Sequence, residues 1–410
     1  MHLYLAWRNV WRNPKRTGII LTAVIIGAWT MLAFTALSRG MMVSTLENAL
    51  NTLTGHIQIQ NPAFRDDPVV ENRISNPAPV ADLLNHDLPA GSRWAFRIQV
   101  DGVASNARNS EGITIVGIVP EKEPGLSFYG NSIAQGRLLD PGDDRGIVVG
   151  EALLDSFETK IGRKLVLMTQ GADRETASRA YKIRGTFRTE MEATEKKYVF
   201  ISLAAARKLL GIGDGVTSAC IRLPDRNPLD RAALGQAAQA LTKDLPKDLT
   251  VLTWIEMLPL LKGYLDMFDR FMLLWYLVVF TAMAFGLVNT MLMAVLERTR
   301  EFGLLKALGL TPVRIVRNVL LECLVLLVIG LAAGNVLGFL TIRLLSGGID
   351  MSFMAQGSEF FGMGRLVIPF FTVRDLLSVN AVIMGLGILV CLYPAARAGQ
   401  ITPVEAMART

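Results

Sequence analysis

The chain has 410 residues, 51% of them hydrophobic and 19% charged, with a net charge of +6 at neutral pH and a mean hydropathy of +0.36. That balance excludes a disordered chain and a collagen-like fibre, and it places part of the protein in lipid. The three cysteines and three histidines supply no zinc-ligand spacing, and with Cys323 and Cys391 inside apolar windows, Cys220 has no partner for a disulfide outside them.

Residues 1–16 open the chain with Arg8, Arg12, Lys15 and Arg16 and no acid. Leu3, Trp7, Val10 and Trp11 share one helical face, the pattern of an amphipathic helix lying in a membrane interface. Residues 17–38 follow without a charge; they are too long for a signal-peptide core and lack a convincing cleavage site, so they are predicted to stay as a first transmembrane helix. Further charge-free windows occupy 271–296, 323–342 and 376–396, each near the ~20 residues a helix needs to cross the hydrocarbon. With the helix starts set by local capping signals, the spans are expected at 17–38, 271–296, 312–342 and 376–396. The excess of Lys and Arg in 1–16, in 297–311 and the residues after it, and in the tail 397–410 puts both termini in the cytoplasm. Residues 39–270 and the loop 343–375 then face the other side.

Residues 39–270 alternate short β-branched runs with Pro, Gly and Asp clusters. Strands are predicted at 56–60, 113–119, 146–149, 164–168, 198–201, 216–223 and 249–252, and helices at 151–160, 203–210 and 230–244. Apolar stripes through Met42, Leu46, Leu50 and Leu53, and through Ile255, Leu258, Leu261 and Leu265, mark helical stalks at both ends of this domain. Either the stalks continue unbroken into the spans, or they hinge near Gly40 and Gly263. The expected architecture is an integral membrane α-helical protein of four transmembrane helices, with a large α/β domain inserted between the first and second.

No Gly is followed by Lys, so the Gly-x-x-x-x-Gly-Lys phosphate loop is absent, and the four charge-free windows hold no ionisable side chain to carry a coupled ion, Glu322 sitting at the edge of the third. The outer domain has no recognisable triad or metal cluster, so catalysis by this chain is not expected. Asn289 and Asn335 read as interhelical hydrogen-bond partners. Gly330, Gly334 and Gly338 lie on one face of the third span and allow close helix approach, within the chain or at a dimer seam. Met267, Phe268, Phe271 and Met272 form a flexible apolar stretch that could meet an acyl chain or simply pack.

Between the second and third spans, Glu297, Arg298, Arg300 and Glu301 set charges at helical spacing beside an apolar edge of Phe302, Leu305 and Leu308. Gly309 stops the helix, and Thr311-Pro312 starts the next. The segment from Glu297 through Gly303, Leu305, Lys306, Ala307 and Leu308 to Gly309 closely resembles the coupling helix of the FtsX-like permease family, which includes MacB efflux pumps and the LolC and LolE lipoprotein-releasing permeases. The run AWRNVWRNPKRT at 6–17 is similar to that family's interfacial helix, and PAARAGQITPVEAM at 394–407 to its C-terminal signature. Gly136-Arg137, IVVGEAL at 147–153 and Ile161-Gly162-Arg163 resemble its extracytoplasmic core.

The resemblance implies a permease subunit of an ABC transporter in the bacterial inner membrane. It would work with two copies of an ABC ATPase subunit, which holds ATP and Mg, and with a second permease, identical or homologous; this chain itself would bind no cofactor, metal or nucleic acid. Glu297, Arg298, Arg300, Glu301, Phe302, Gly303, Leu305, Lys306, Ala307, Leu308 and Gly309 would lie in or beside the ATPase contact. Layout favours lipoprotein extraction from membrane lipid toward a periplasmic carrier. The alternative is mechanotransmission for efflux with a fusion protein, or regulation of a periplasmic partner. MacB members carry a fused ATPase, whereas this sequence opens on the interfacial segment.

Overall fold

The computed structural model describes residues 7–8, 10–189, 191–224, 230–350 and 366–402. Leu3 of the expected interfacial helix, residues 403–407 of the C-terminal signature and the middle of the loop 343–375 lie outside them. The chain forms two compact units, one from residues up to 42 with 265–350 and 366 onward, the other from residues 43–264.

Four long apolar helices dominate the first unit: Pro14–Ala49, Pro259–Glu297, Pro312–Leu344 and Val373–Gln400. Three start on a proline, whose missing N–H goes unused in a first helical turn. The fourth starts on a capping box, in which Thr372 Oγ1 accepts from the Asp375 amide and Asp375 Oδ2 accepts from the Thr372 amide. Each helix outruns its charge-free window. The first passes Gly40 and the second passes Gly263 without interruption, so no hinge forms at either glycine.

The third span's glycines pack within the chain. A Cβ on Gly330, Gly334 or Gly338 would come within 2.5 or 2.6 Å of Val24, Ala28 or Leu32, so three residues of the first span seat in three glycine notches one turn apart. At Gly334 the obstruction includes the Ile25 carbonyl oxygen, at 2.9 Å, which cannot rotate away. Gly334→Val is therefore expected to destabilise the bundle by on the order of 3 kcal/mol, read as a lower unfolding temperature in detergent; an unchanged temperature would contradict this packing. Polar ties reinforce it. Trp29 Nε1 donates to Thr341 Oγ1 at 2.9 Å, Asn335 Nδ2 donates to Asn380 Oδ1 at 2.8 Å, and Cys323 is disulfide-bonded to Cys391. Asn335 is thus an interhelical partner, as its sequence context suggests; Asn289 stands exposed on the second span.

The second unit is built on a ten-stranded mixed sheet: β1 (Ile57–Gln60), β2 (Arg93–Ser105), β3 (Ser110–Ile118), β4 (Ile133–Gly136), β5 (Gly146–Gly150), β6 (Lys164–Gln170), β7 (Thr176–Phe187), β8 (Tyr198–Ser202), β9 (Ser218–Arg222) and β10 (Thr250–Thr253). Their order is β10-β1-β9-β2-β3-β8-β5-β7-β4, with β6 bridging β2 and β7. The β3–β8 and β5–β7 pairs are parallel and the rest antiparallel. Val116, Ile118, Tyr129, Val148, Phe187 and Phe200 form a shared core. The helix Leu203–Leu210 begins where Ser202 caps the Ala205 amide and ends at Gly211 in the left-handed region. It lies so close to β3 that a Cβ on Gly117 would meet Ala206 Cβ at 2.5 Å.

Both stalks end at one edge of this sheet. After Ala49 the first helix widens into one π turn, Leu50–Thr54, and Leu53 turns left-handed at φ 68°. Leu53 is buried in the same core as Val116 and Phe200, and β1 follows at once. The second helix is preceded by β10 and by a capping box of Thr253 and Glu256. Because β1 and β10 pair with Ile57 opposite Thr253, the ends of the two stalks are bound by backbone hydrogen bonds.

A buried ion pair fixes the turn. Arg97 Nε and Nη2 donate to the two carboxylate oxygens of Glu123 at 2.9 and 2.7 Å, and Nη1 donates to the Leu53 carbonyl at 2.7 Å. Arg97 and Glu123 are both fully buried. Nearer the helix, Arg222 of β9 bonds to Asn51 and, through Nη2 at 2.5 Å, to Glu47. The last turns of the first stalk are thus held by two arginines of adjacent strands.

Candidate coupling site

A single residue, Arg298, separates the second span from a short helix, Thr299–Ala307. Its backbone (φ −101°, ψ 15°) leaves the helical region and redirects the chain. Gly309, at φ 89°, makes the return turn that a side chain would oppose, and Pro312 begins the third span behind the N-cap Thr311.

The short helix has two chemically distinct sides. On the inward side Phe302 and Gly303 are buried, and Phe302 packs in the bundle core with Val10, Ile315, Val319, Ala395 and Ala398. Arg298 Nη1 donates to both oxygens of Glu322 on the third span, each at 3.0 Å, and Nε donates to Glu301 at 3.0 Å. The guanidinium also lies over the Phe302 ring, 5.1 Å from its centre. Arg12 pairs with Glu301, and Arg16 with Glu297 at 3.5 Å. Lys306 Nζ donates to the carbonyls of Gly399 and Ile401 at 2.6 and 2.7 Å, satisfying acceptors that the end of the fourth span leaves open.

Bonding to Arg12, with Arg298 close by, holds the Glu301 carboxyl below the ordinary carboxylate value. Glu301 is therefore charged throughout the neutral range, and its contribution fades only as pH falls through that lowered value. Through these bonds the short helix is tied to the residues before the first span and to the third and fourth spans, and it is covalently joined to the second.

The outward side carries Arg300, Leu304, Ala307 and Leu308, all exposed, at helical spacing. Leu304 and Leu308 are 63% and 76% exposed, which makes them an apolar knob with one cation beside it. Gly309 is exposed at its end, while Leu305 is half-buried. Of the residues singled out from the sequence, Glu297 and Arg300 also reach solvent, whereas Arg298, Glu301, Phe302, Gly303 and Lys306 are engaged inward. Sequence reasoning missed Glu322, Arg12, Arg16 and the Gly399 and Ile401 carbonyls as their partners. The available signal was Glu322 itself, an acid at the very edge of an uncharged window.

Before the first span, Trp7 and Trp11 are exposed and stack edge to face, 5.9 Å apart, while Val10 is buried in the bundle. An exposed tryptophan pair beside a span is suited to a membrane–water interface. Within the first unit an apolar groove of 760 Å³ runs between the first and second spans, lined by Ile19, Ala23, Ile26, Val278, Ala282 and Met283 among others. The stretch proposed for acyl contact sits elsewhere on the second helix: Met267 and Phe271 are exposed, Phe268 is half-buried and Met272 is buried. Phe271 touches Phe34, and none of the four lines the groove.

Residues 17–241 match the family model of the MacB-like periplasmic core domain, and residues 273–403 match that of the FtsX-like permease C-terminal. The lipoprotein-releasing system transmembrane protein LolC of Neisseria meningitidis serogroup B is 22% identical over 319 residues, 74% of each chain. LolE of Haemophilus influenzae is 20% identical over 98% of each chain. The macrolide export ATP-binding/permease protein MacB of Vibrio parahaemolyticus is 31% identical over 30% of this chain and 17% of its own.

Proposed function

Because the chain belongs to the ABC transporter permease family that joins a MacB-like periplasmic core domain to an FtsX-like C-terminal permease segment, we propose that it transmits ATPase-driven motion across the inner membrane to its periplasmic domain and thereby releases lipoproteins from the membrane. The observation that carries the relay is the two-sided short helix, with an apolar knob outward and ion pairs and lysine caps inward. A separate ATPase subunit grips Leu304 and Leu308, and the inward bonds pass its displacement to the spans. The first helix leads through the turn at Leu53 into β1, and β10 leads through the short helix Trp254–Met257 into the second helix, which gives the motion a short path to the paired strands. The chain supplies no hydrolytic chemistry; ATP and Mg belong to the partner, and both termini and the short helix face the cytoplasm.

Lipidated cargo is favoured by likeness to LolE along nearly the whole chain and by the apolar groove between the first two spans, which offers an acyl chain a lateral, dry surface. The MacB likeness supports a second reading, in which the same relay serves efflux or a periplasmic partner protein without lipoprotein.

Purification of the chain in nanodiscs with mass spectrometry of bound proteins and lipids separates the two. An ATPase with acylated polypeptides supports lipoprotein release; an ATPase with a membrane-fusion protein and no lipoprotein supports the second reading. Leu308→Glu, which sets a charge on the knob, is expected to lower ATPase co-purification at least tenfold while leaving membrane insertion intact. Undiminished recovery would place the contact elsewhere.

A further inference from the structure

Two open clefts in the outer domain, of about 760 and 600 Å³, share Asn51, Phe128, Asn131 and Ser132 in their linings and so form one trench. It crosses the foot of the first stalk, where Asn51 and Thr52 belong to the π turn. Its walls are polar in a particular way: Asn48, Asn51, Asn131 and Gln135 bring side-chain amides, each able to donate and to accept. Charge in the trench is mostly cancelled. Arg188 Nε donates to Glu151 at 2.6 Å, and Arg222 bonds to Glu47. Arg93, which lines the other end, bonds to the Pro124 carbonyl and has no carboxylate partner among the described residues.

One wall is the edge of the sheet. The strand β4 ends the strand order and pairs with β7 alone among the described strands. Toward β7 its flanks are bonded, since the Arg188 amide donates to the Ser132 carbonyl at 2.8 Å and the Arg137 amide to the Arg184 carbonyl at 3.2 Å. Ile133, Ala134 and Gln135 all line the trench. Side chains alternate between the two faces of a strand, so three consecutive residues meet one cleft only along the strand's edge. That edge, Ile133–Gly136, carries neither the Lys nor the Pro that commonly guards an open strand. The Asn131 amide just before it is exposed and has no hydrogen-bond partner among the described residues.

We propose that the trench binds an extended segment of the cargo polypeptide, which adds to β4 as a further strand, is held by its main chain, and favours an acidic residue at the Arg93 end. A peptide main chain presents one donor and one acceptor per residue, the set that a strand edge and a row of amides satisfy without demanding a particular sequence. Sugars also carry many hydroxyls, but their apolar C–H faces call for an open aromatic ring. Phe128 is the one aromatic in the described lining, and its ring is spent in the core, 5.3 and 5.6 Å from those of Phe187 and Phe200. A segment in the trench touches the π turn, so it lies where motion of the stalk enters the sheet. Which chain supplies the segment rests on the lipoprotein reading; the geometry of the trench does not.

The test is fluorescence anisotropy on the full chain in nanodiscs. The probe is a fluorescein-labelled peptide without an acyl chain, about 33 Å long when extended over roughly ten residues, built of Ser, Thr, Asn and Gln with Asp at both ends. Saturable binding above that to empty nanodiscs is expected. Methylating alternate backbone nitrogens removes donors and keeps the side chains; in one of its two phases it should weaken binding at least tenfold. Exchanging both Asp for Lys should weaken it at least threefold, a preference that Arg93→Gln should erase. Asn131→Leu should weaken binding at least fivefold with the unfolding temperature unchanged. No binding up to about 1 mM peptide, indifference to methylation in both phases, full affinity in Asn131→Leu, or displacement by an equal concentration of a soluble oligosaccharide would overturn the proposal. Mass spectrometry of the same nanodiscs separates it from the functional reading. Peptide binding without co-purified acylated polypeptides would refute lipoprotein release and leave the trench a peptide site, whereas acylated polypeptides without peptide binding would overturn the trench alone.

Discussion

Arg298→Met is expected to uncouple the transporter while leaving it assembled. The substitution keeps the bulk of the side chain but takes the Arg298 ion pair from Glu322, which is buried at 7% exposure and receives both Arg298 contacts at 3.0 Å. Removing one member of such a pair costs about 3–5 kcal/mol, because the remaining charge stays desolvated. The outward knob is untouched, so the ATPase should still bind and hydrolyse ATP, but the short helix would move without drawing the third span along. In reconstituted complexes the cargo released per ATP consumed should fall at least tenfold. Glu301→Lys should act in the same direction by setting a third cation beside Arg12 and Arg298. The double variant Arg298→Met/Glu322→Leu should regain stability without regaining coupling. If release per ATP stays at the wild-type level in Arg298→Met, the inward pairs do not carry the motion.

At the other end of the relay, Arg97→Met is expected to have the largest effect on the outer domain. It leaves the fully buried Glu123 without its bidentate partner and the Leu53 carbonyl without its donor. The expected loss is again about 3–5 kcal/mol, roughly 10 °C in unfolding temperature for a domain of this size. Arg97→Met/Glu123→Leu, which removes both charges, should recover much of that stability. It still lacks the bond to Leu53, so release should remain low. Restored release in the double variant would show that Arg97 serves folding alone.

The sequence was most readable where one physical rule dominates. Charge-free windows located the four long helices because hydrocarbon excludes ionic groups regardless of tertiary context, and Gly309 with Thr311-Pro312 marked the turn after the short helix because few residues tolerate those backbone angles. Seven strands were foreseen near their observed positions, and the helix 203–210 was foreseen at both ends, since Ser202 and Gly211 cap it. The long strands β2 and β7 and the short β4 were not. Asp101 and Gly102 interrupt the apolar alternation of β2, and Ser178, Ala180 and Lys182 give β7 a solvated face; these strands exist because neighbours on both sides supply hydrogen bonds, which is tertiary information. The candidate site divides likewise. Composition identified the charged short helix, but which side faces inward depends on Arg12, Glu322 and the Gly399 carbonyl, partners from distant parts of the chain.

The relay itself is tested most directly by measuring distance in the outer domain as nucleotide binds. A spin label at Asp173→Cys, with Cys220 buried and Cys323 paired to Cys391, reports the separation of two outer domains in the nanodisc complex by pulsed electron spectroscopy. The distance distribution is expected to shift between the nucleotide-free and ATP-bound complexes and to stop responding in Arg298→Met with ATPase still bound. A distribution indifferent to ATP in the wild-type complex, or one that responds equally in Arg298→Met, would contradict transmission of force through the short helix.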